Sequence, residues 1–383
     1  MKKVLFDLYS SQPIDDSKFH GGGEYIKAIF RHAIEVAYHN QTSISVFFDN
    51  TIFIDEWILE SIESAKIKVH NISNINDVQK ILNENGFDIF FSGLPTRYYK
   101  LIIPPKTRFI GTIHGLRPIE LLADRYSYKY YSGIQSYKMR LLYCLKRIRV
   151  KKALDKYGKT LAILDQIMTD SFHSLYSIKC FFPNINKDIK VLYPPIKYYQ
   201  NSSHNKIDLD SRYILILGMN RWEKNSYRAI LAFEDLFSKG FLKDYKVVTV
   251  GRISDQVQKK MQYKEKYYQY DYVEPEFLEE LYRNCDLFIY PSINEGFGYP
   301  PLEAMKYGIT CAVSAVCSIP EVCGDAVYYF NPYDINEIKN RILQSLEMKK
   351  NPELVKRRFD MIYAKQEEDL DKLCKLVFVE ENV

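Results

Sequence analysis

No run of about 18 or more uninterrupted apolar residues occurs anywhere in the 383 residues, so no segment reads as a membrane-spanning helix. The N-terminal Met1-Lys2-Lys3 leads directly into a short strand pattern rather than a signal-peptide core, and a cytoplasmic chain is expected. The strong basic bias of a dedicated nucleic-acid binder is also missing: the formal net charge is only +5. Seven cysteines (144, 180, 285, 311, 317, 323 and 374) form no C-x-x-C pair and have no histidine at ligand spacing, which excludes a disulfide framework and a zinc site and leaves free thiols. Two D-x-D spacings, Asp208-Leu-Asp210 and Asp369-Leu-Asp371, lie in a polar linker and a helical tail, where chance explains them, and no metal is expected.

What is present is a globular composition, 46% apolar and 26% charged, in a length that fits two domains. Apolar runs at 4–8, 44–48, 89–91, 109–113 and 160–164 alternate with helical patterns, the first of them over 24–38 directly after Gly21-Gly22-Gly23. Such alternation predicts a parallel sheet with helices on both faces. The pattern stops at Tyr193-Pro194-Pro195, and the polar stretch 200–210 reads as a linker. A second alternation follows: strands at 213–217, 246–250, 287–290 and 310–313, helices at 226–237, 275–284 and 301–307. The expected fold is α/β, two doubly wound Rossmann-like domains over 1–200 and 201–359 facing each other across a cleft. The long helical pattern 336–379, interrupted at Pro352, makes the tail 360–383 a candidate to rejoin the first domain.

Chemistry concentrates in Tyr290-Pro-Ser-Ile-Asn-Glu295-Gly296-Phe297-Gly298-Tyr-Pro-Pro-Leu-Glu303. Two glycines after a strand let backbone N–H groups approach a ligand closely, and a helix with proline in its first turn follows. Glu303, expected in that first turn, can accept hydrogen bonds from two vicinal hydroxyls such as those of a ribose. An ordinary loop carboxylate and a helix-start carboxylate favoured by the macrodipole are the plainer readings of the two glutamates. Upstream, Gly218-Met-Asn-Arg221-Trp-Glu-Lys224 places two cations three apart in a strand-to-helix loop, suited to clasping a diphosphate, with solvated surface cations as the alternative.

The segment 290–303 resembles the E-x7-E signature of retaining glycosyltransferases of family four, which have the GT-B fold. Asp286-Leu-Phe-Ile-Tyr-Pro-Ser292, Met305-Lys-Tyr-Gly308 and Ile319-Pro-Glu321-Val-Cys-Gly324-Asp325-Ala326 extend the resemblance in the same order. It is dense from about 213 to 333 and thin before. The resemblance implies that Arg221 and Lys224 offset charge on a leaving nucleoside diphosphate. It implies that Glu295 serves turnover, that Glu303 holds the ribose, and that Gly218 and the Glu295–Gly298 loop line the donor. Gly22 and Gly23 resemble the family's N-terminal glycine loop, whose amides meet the donor phosphates; a plain flexible turn is the alternative. His114 matches the histidine of the family's H-D pair, but Gly115 stands where the aspartate is expected. Ser171 resembles the family's serine on the turn before a helix, and an N-cap explains it as well.

Between 135 and 157 a helical pattern combines Met139, Leu142, Leu145, Ile148 and Leu154 with eight lysines and arginines, opposed only by Asp155. An amphipathic basic helix can rest on the anionic inner face of a membrane; alternatively its apolar stripe joins the core. The expected activity is metal-independent, cofactor-free transfer of a sugar from a GDP-mannose or UDP-hexose type donor to a glycan or lipid-linked glycan, with retention of configuration. Bacterial surface polysaccharide synthesis is the setting the resemblance implies. The alternatives are a silent assembly subunit and a sugar-nucleotide epimerase.

Overall fold

The computed structural model describes residues 1–13, 20–121, 123–196 and 212–379; the expected linker 200–210, with Asp208 and Asp210, lies outside them. The chain divides into two compact units, one of residues 1–116, 151–198 and 364–383, the other of 117–150 and 199–363.

The first unit is built on a seven-stranded, wholly parallel sheet of β1 (Lys3–Asp7), β2 (Ser43–Phe48), β3 (Lys68–Asn71), β4 (Ile89–Ser92), β5 (Arg108–Ile113), β6 (Gln166–Thr169) and β7 (Ile189–Val191). Their spatial order is β3-β2-β1-β4-β5-β6-β7, so the winding direction reverses between β1 and β4. Central strands such as Val4-Leu5-Phe6 and Ile89-Phe90-Phe91 are buried on both faces, which is why they read as continuous apolar runs. Phe90 and Phe109 stack at 4.4 Å. The apolar run 160–164 is not a strand: residues 160–163 end the helix Lys146–Ile163, and β6 begins two residues after the run. Thr160 and Leu161 are the buried residues of that helix, and burial of one helical face produced the strand-like apolarity.

The second unit carries a six-stranded parallel sheet: β8 (Arg212–Leu217), β9 (Tyr245–Val250), β10 (Tyr267–Tyr270), β11 (Leu287–Tyr290), β12 (Cys311–Ser314) and β13 (Tyr328–Phe330). The order is β10-β9-β8-β11-β12-β13, with the reversal between β8 and β11. Helix Ser226–Ser238 packs Ile230, Phe233 and Phe237 into a core shared with Ile214, Ile216, Val247 and Ile289. Two doubly wound units are therefore present.

The division differs from 1–200 and 201–359 in one respect, since residues 117–150 belong to the second unit. Arg228 and Asp124 form a buried bidentate pair at 2.8 and 3.2 Å, and the Tyr130 hydroxyl accepts the backbone N–H of Tyr227 at 2.7 Å. Burying a charge without its partner costs several kcal/mol, so these contacts fix where the segment belongs. The helix Pro352–Phe378 is shared, residues up to 363 falling in the second unit and those from 364 in the first. Its later part enters the first unit's core through Leu373, Val377 and Phe378. Asp369 is buried there, accepting the Tyr193 N–H at 2.8 Å and pairing with Lys365 at 2.7 Å.

The basic stretch 135–157 is not one helix. Helices Gly133–Cys144 and Lys146–Ile163 meet at Leu145, and no residue of the first is buried. Ile134 and Tyr137 are 87% and 73% exposed, and Met139, Leu142, Leu145, Ile148 and Leu154 all lie outside the core. Among the described residues no helix is long and apolar enough to cross a membrane.

Candidate donor site

In doubly wound sheets, ligands bind beyond the carboxyl ends of the strands where the winding reverses. In the second unit those ends are Leu217 of β8 and Tyr290 of β11, and the loops leaving them carry Gly218–Lys224 and Glu295–Gly298. Gly218 has φ +75°, and a Cβ there would lie 2.8 Å from Lys224 Cγ. A glycine is thus required both by the left-handed backbone and by the lysine stem passing over it. Asn225, at φ 61°, ends the turn and donates through Nδ2 to the carbonyls of Pro291 and Pro332 at 3.0 and 2.7 Å, tying the β8 loop to the β11 loop.

So held, Lys224 Nζ donates to Glu295 Oε1 at 2.6 Å and to the Tyr290 hydroxyl at 2.5 Å. Tyr290 and Ser292 donate to the same oxygen at 2.7 and 2.5 Å. Burial alone would raise the Glu295 pKa, but Lys224, then Arg117, and these hydrogen bonds outweigh it and hold the carboxyl at about 2. Glu295 is a carboxylate under all physiological conditions. Burial lowers the Lys224 pKa, with Arg221 and Arg117 adding to the effect and Glu295 opposing it. Arg221 turns its fork to Glu223, donating from Nε and Nη2 to Oε1 at 3.0 and 2.6 Å.

The Glu295–Gly298 loop is pinned by the Ser318 hydroxyl, which lies 3.1 Å from the Glu295 carbonyl and 2.8 Å from that of Phe297. Phe297 is buried and Gly298 takes φ +108° at the entry to the helix Tyr299–Met305. That helix starts one residue before Pro300, so Glu303 falls in its second turn rather than the first. It is buried, and its Oε2 accepts the hydroxyl of Tyr282 at 2.9 Å. Gly218, Lys224, Arg221, Glu295, Gly296, Phe297 and Gly298 thus come from two adjacent loops, while Glu303 follows on the second loop's helix. Sequence reasoning assigns no role to Glu223, Tyr290, Ser292 or Tyr282, although Glu223 lies between Arg221 and Lys224, and Tyr290 and Ser292 lie at and just beyond the end of β11.

The first unit holds the remaining expected residues. Gly22 and Gly23 do not form a loop ahead of the helix; they are its first turn, capped by His20, whose Nδ1 accepts the Gly23 N–H at 3.0 Å. That amide is therefore engaged, and a Cβ on Gly23 would lie 3.0 Å from the Ser11 carbonyl oxygen. His114 is hydrogen-bonded on both ring nitrogens, Nδ1 to Asp170 Oδ2 at 2.6 Å and Nε2 to the Gly93 carbonyl at 2.8 Å. Both partners accept, so the ring donates twice. Burial disfavours its charge, but Asp170 and the carbonyl outweigh burial and raise its pKa. The carboxylate that pairs with His114 is thus Asp170, just after β6. Ser171 is an N-cap, its Oγ accepting the Ser174 N–H at 3.2 Å.

Residues 200–367 match the family described as glycosyl transferases group 1. That match spans less than half of the chain. The O-antigen chain mannosyltransferase B of Escherichia coli is 49% identical to the chain over 76 residues, which span 20% of this chain and 20% of that relative. Two solved structures share the two-unit fold of the chain. One is sucrose-phosphate synthase from Thermosynechococcus elongatus, at TM-score 0.65 and 13% identity over 98% of both chains. The other is HepE from Anabaena in complex with UDP-glucose, at TM-score 0.63 and 13% identity over 97% of this chain and 99% of that one.

Proposed function

We propose that the chain is a hexosyltransferase of surface-polysaccharide synthesis. It moves a sugar from a nucleoside diphosphate donor, of the GDP-mannose or UDP-hexose type, to a hydroxyl of a glycan or lipid-linked glycan. The observation that carries this reading is the Lys224–Glu295–Tyr290 cluster at the carboxyl ends of β8 and β11, inside the segment that matches the group 1 family. The similarity to an O-antigen mannosyltransferase favours mannose as the sugar and a polysaccharide as the product; the HepE structure contains UDP-glucose.

In the proposed reaction the bond between the anomeric carbon and the β-phosphate oxygen breaks, and its electron pair stays on that oxygen. The acceptor oxygen forms the new bond on the same face, and its proton passes to the departing phosphate, giving retention. Lys224 and Arg221 stabilise the charge that grows on the leaving diphosphate, so the reaction needs no metal. Glu295, fixed through Oε1, presents Oε2 to a sugar hydroxyl, and Glu303 takes the ribose. His114, as an imidazolium held by Asp170, orients rather than abstracts a proton. The exposed cations and apolar residues of 135–157 favour docking on the anionic inner face of the membrane, where a lipid-linked acceptor would lie.

A thermal-shift titration with UDP, GDP, dTDP and ADP, with and without magnesium, tests the reading, since a ligand of the folded state must raise the melting temperature. One diphosphate is expected to shift it equally with and without magnesium. No shift with any of the four would overturn the donor site and favour a silent assembly subunit.

A further inference from the structure

Arg117 belongs to the second unit and starts a short turn of helix, Arg117–Glu120. Its Nη1 donates to Glu223 Oε1 at 3.2 Å and its Nε to Asn294 Oδ1 at 3.3 Å. Glu223 Oε1 is the same oxygen that receives both contacts from Arg221, so one carboxylate oxygen gathers two guanidinium groups. Burial would raise the pKa of Glu223, but Arg221 and then Arg117 outweigh it and lower it, so the carboxylate stays charged. Asn294 is the residue before Glu295, and Arg117 is, after Lys224, the strongest charge acting on the Glu295 carboxylate.

Three cations, Arg117, Arg221 and Lys224, therefore gather around two carboxylates, Glu223 and Glu295, and a third carboxylate, Glu120, joins the group through Asn294, whose Nδ2 donates to its Oε2 at 2.9 Å. Both side chains stay partly exposed, 36% for Arg117 and 46% for Arg221. A guanidinium held by fixed acceptors and still partly exposed is preorganised to donate its remaining N–H groups to phosphate oxygens. Two forks fixed by one carboxylate can address two phosphate oxygens without losing further side-chain entropy, which a single Arg and a Lys cannot do.

We propose that Arg117 is a third ligand of the donor's diphosphate and that Glu223 is a positioning residue holding Arg117 and Arg221 as a two-guanidinium clamp. This inference rests on the reading of the β8 and β11 loops as the diphosphate site. The clamp distinguishes its ligand by charge and by phosphate oxygens rather than by base, so a base-free probe reports on it.

The test is calorimetric titration of the full chain with inorganic pyrophosphate, UDP and GDP, and separately with uridine and guanosine. Arg117→Gln is expected to weaken pyrophosphate, and whichever of the two diphosphates binds, about tenfold, the loss of one charge-assisted contact, with nucleoside binding unchanged. Arg117→Lys, which keeps the charge but loses the fork, should recover part of the loss. It also carries the test if Arg117→Gln lowers the ligand-free melting temperature too far to be handled. Wild-type pyrophosphate affinity in Arg117→Gln, alongside lost affinity in Arg221→Ala and Lys224→Ala, would overturn the role of Arg117 and leave the diphosphate site standing. Wild-type affinity in all three variants would overturn the site itself.

Discussion

Tyr282 shows how much a single side chain can add to a site without facing the ligand. It is 2% exposed, and its hydroxyl donates to Glu303 Oε2 at 2.9 Å, which fixes the plane of the carboxylate. If Glu303 binds the ribose, Tyr282→Phe should raise the KM for the nucleotide-sugar about fivefold, worth ~1 kcal/mol for a lost hydrogen bond, with kcat kept. Pyrophosphate affinity should not move, because the ribose is not part of that probe. Equal losses for pyrophosphate and nucleotide-sugar would mean that Tyr282 supports the whole loop instead. The same scale shows what could not be read in advance. Glu295 and Lys224 stood out because their spacing matched a known signature, whereas Tyr282 and Asp170 matter only through partners 21 and 56 residues away. Side-chain partnership across such separations leaves no local pattern.

Among the elements, the turn after β8 carries the largest constraint. Its geometry depends on Gly218 at φ +75° and Asn225 at φ 61°, one opening the turn and the other closing it. Gly218→Ala places a methyl 2.8 Å from Lys224 Cγ in a backbone region that costs a non-glycine residue about 1–3 kcal/mol. It is expected to lower stability by roughly 1 kcal/mol and pyrophosphate affinity by about tenfold or more, because Lys224 must leave Glu295 to make room. Urea unfolding together with pyrophosphate titration separates the two effects, and an unchanged affinity would show that the lysine does not meet the anion. Most strands and helices of this unit were legible because their apolar runs are bounded by glycine, proline and asparagine. The helix end at 160–163 was not, because an apolar helical face against the sheet and a short buried strand look alike over five residues. The first glycines were misplaced for a related reason: a helix that begins on three glycines has no propensity signal in its first turn.

At the level of the whole molecule, the two doubly wound units could be inferred from alternation alone, whereas the assignment of 117–150 and the place at which the last helix changes units could not. Both depend on contacts between segments about a hundred residues or more apart, such as Arg228 with Asp124 and Asp369 with Tyr193. The end of the last helix is an integral part of the first unit's core. Phe378 is fully buried with its ring 6.3 Å from that of Phe6, and its carbonyl accepts the hydroxyl of Thr42. Phe378→Ala should therefore cost about 3–5 kcal/mol, as for other buried aromatic truncations, read by chemical denaturation with a probe in the first unit. A cost below 1 kcal/mol would mean that the tail is dispensable to that core.

That shared core also sets a timetable for synthesis. Residues 1–198 leave the ribosome before the tail from 364 onward exists, and translation at ~5–20 residues per second separates them by roughly 10–30 s. For that interval the nascent first unit shows an apolar face where Leu373, Val377 and Phe378 will later sit. The second unit's sheet, by contrast, is complete once β13 has emerged, before the first unit can close. Maturation thus runs against chain order: the half made first is finished last.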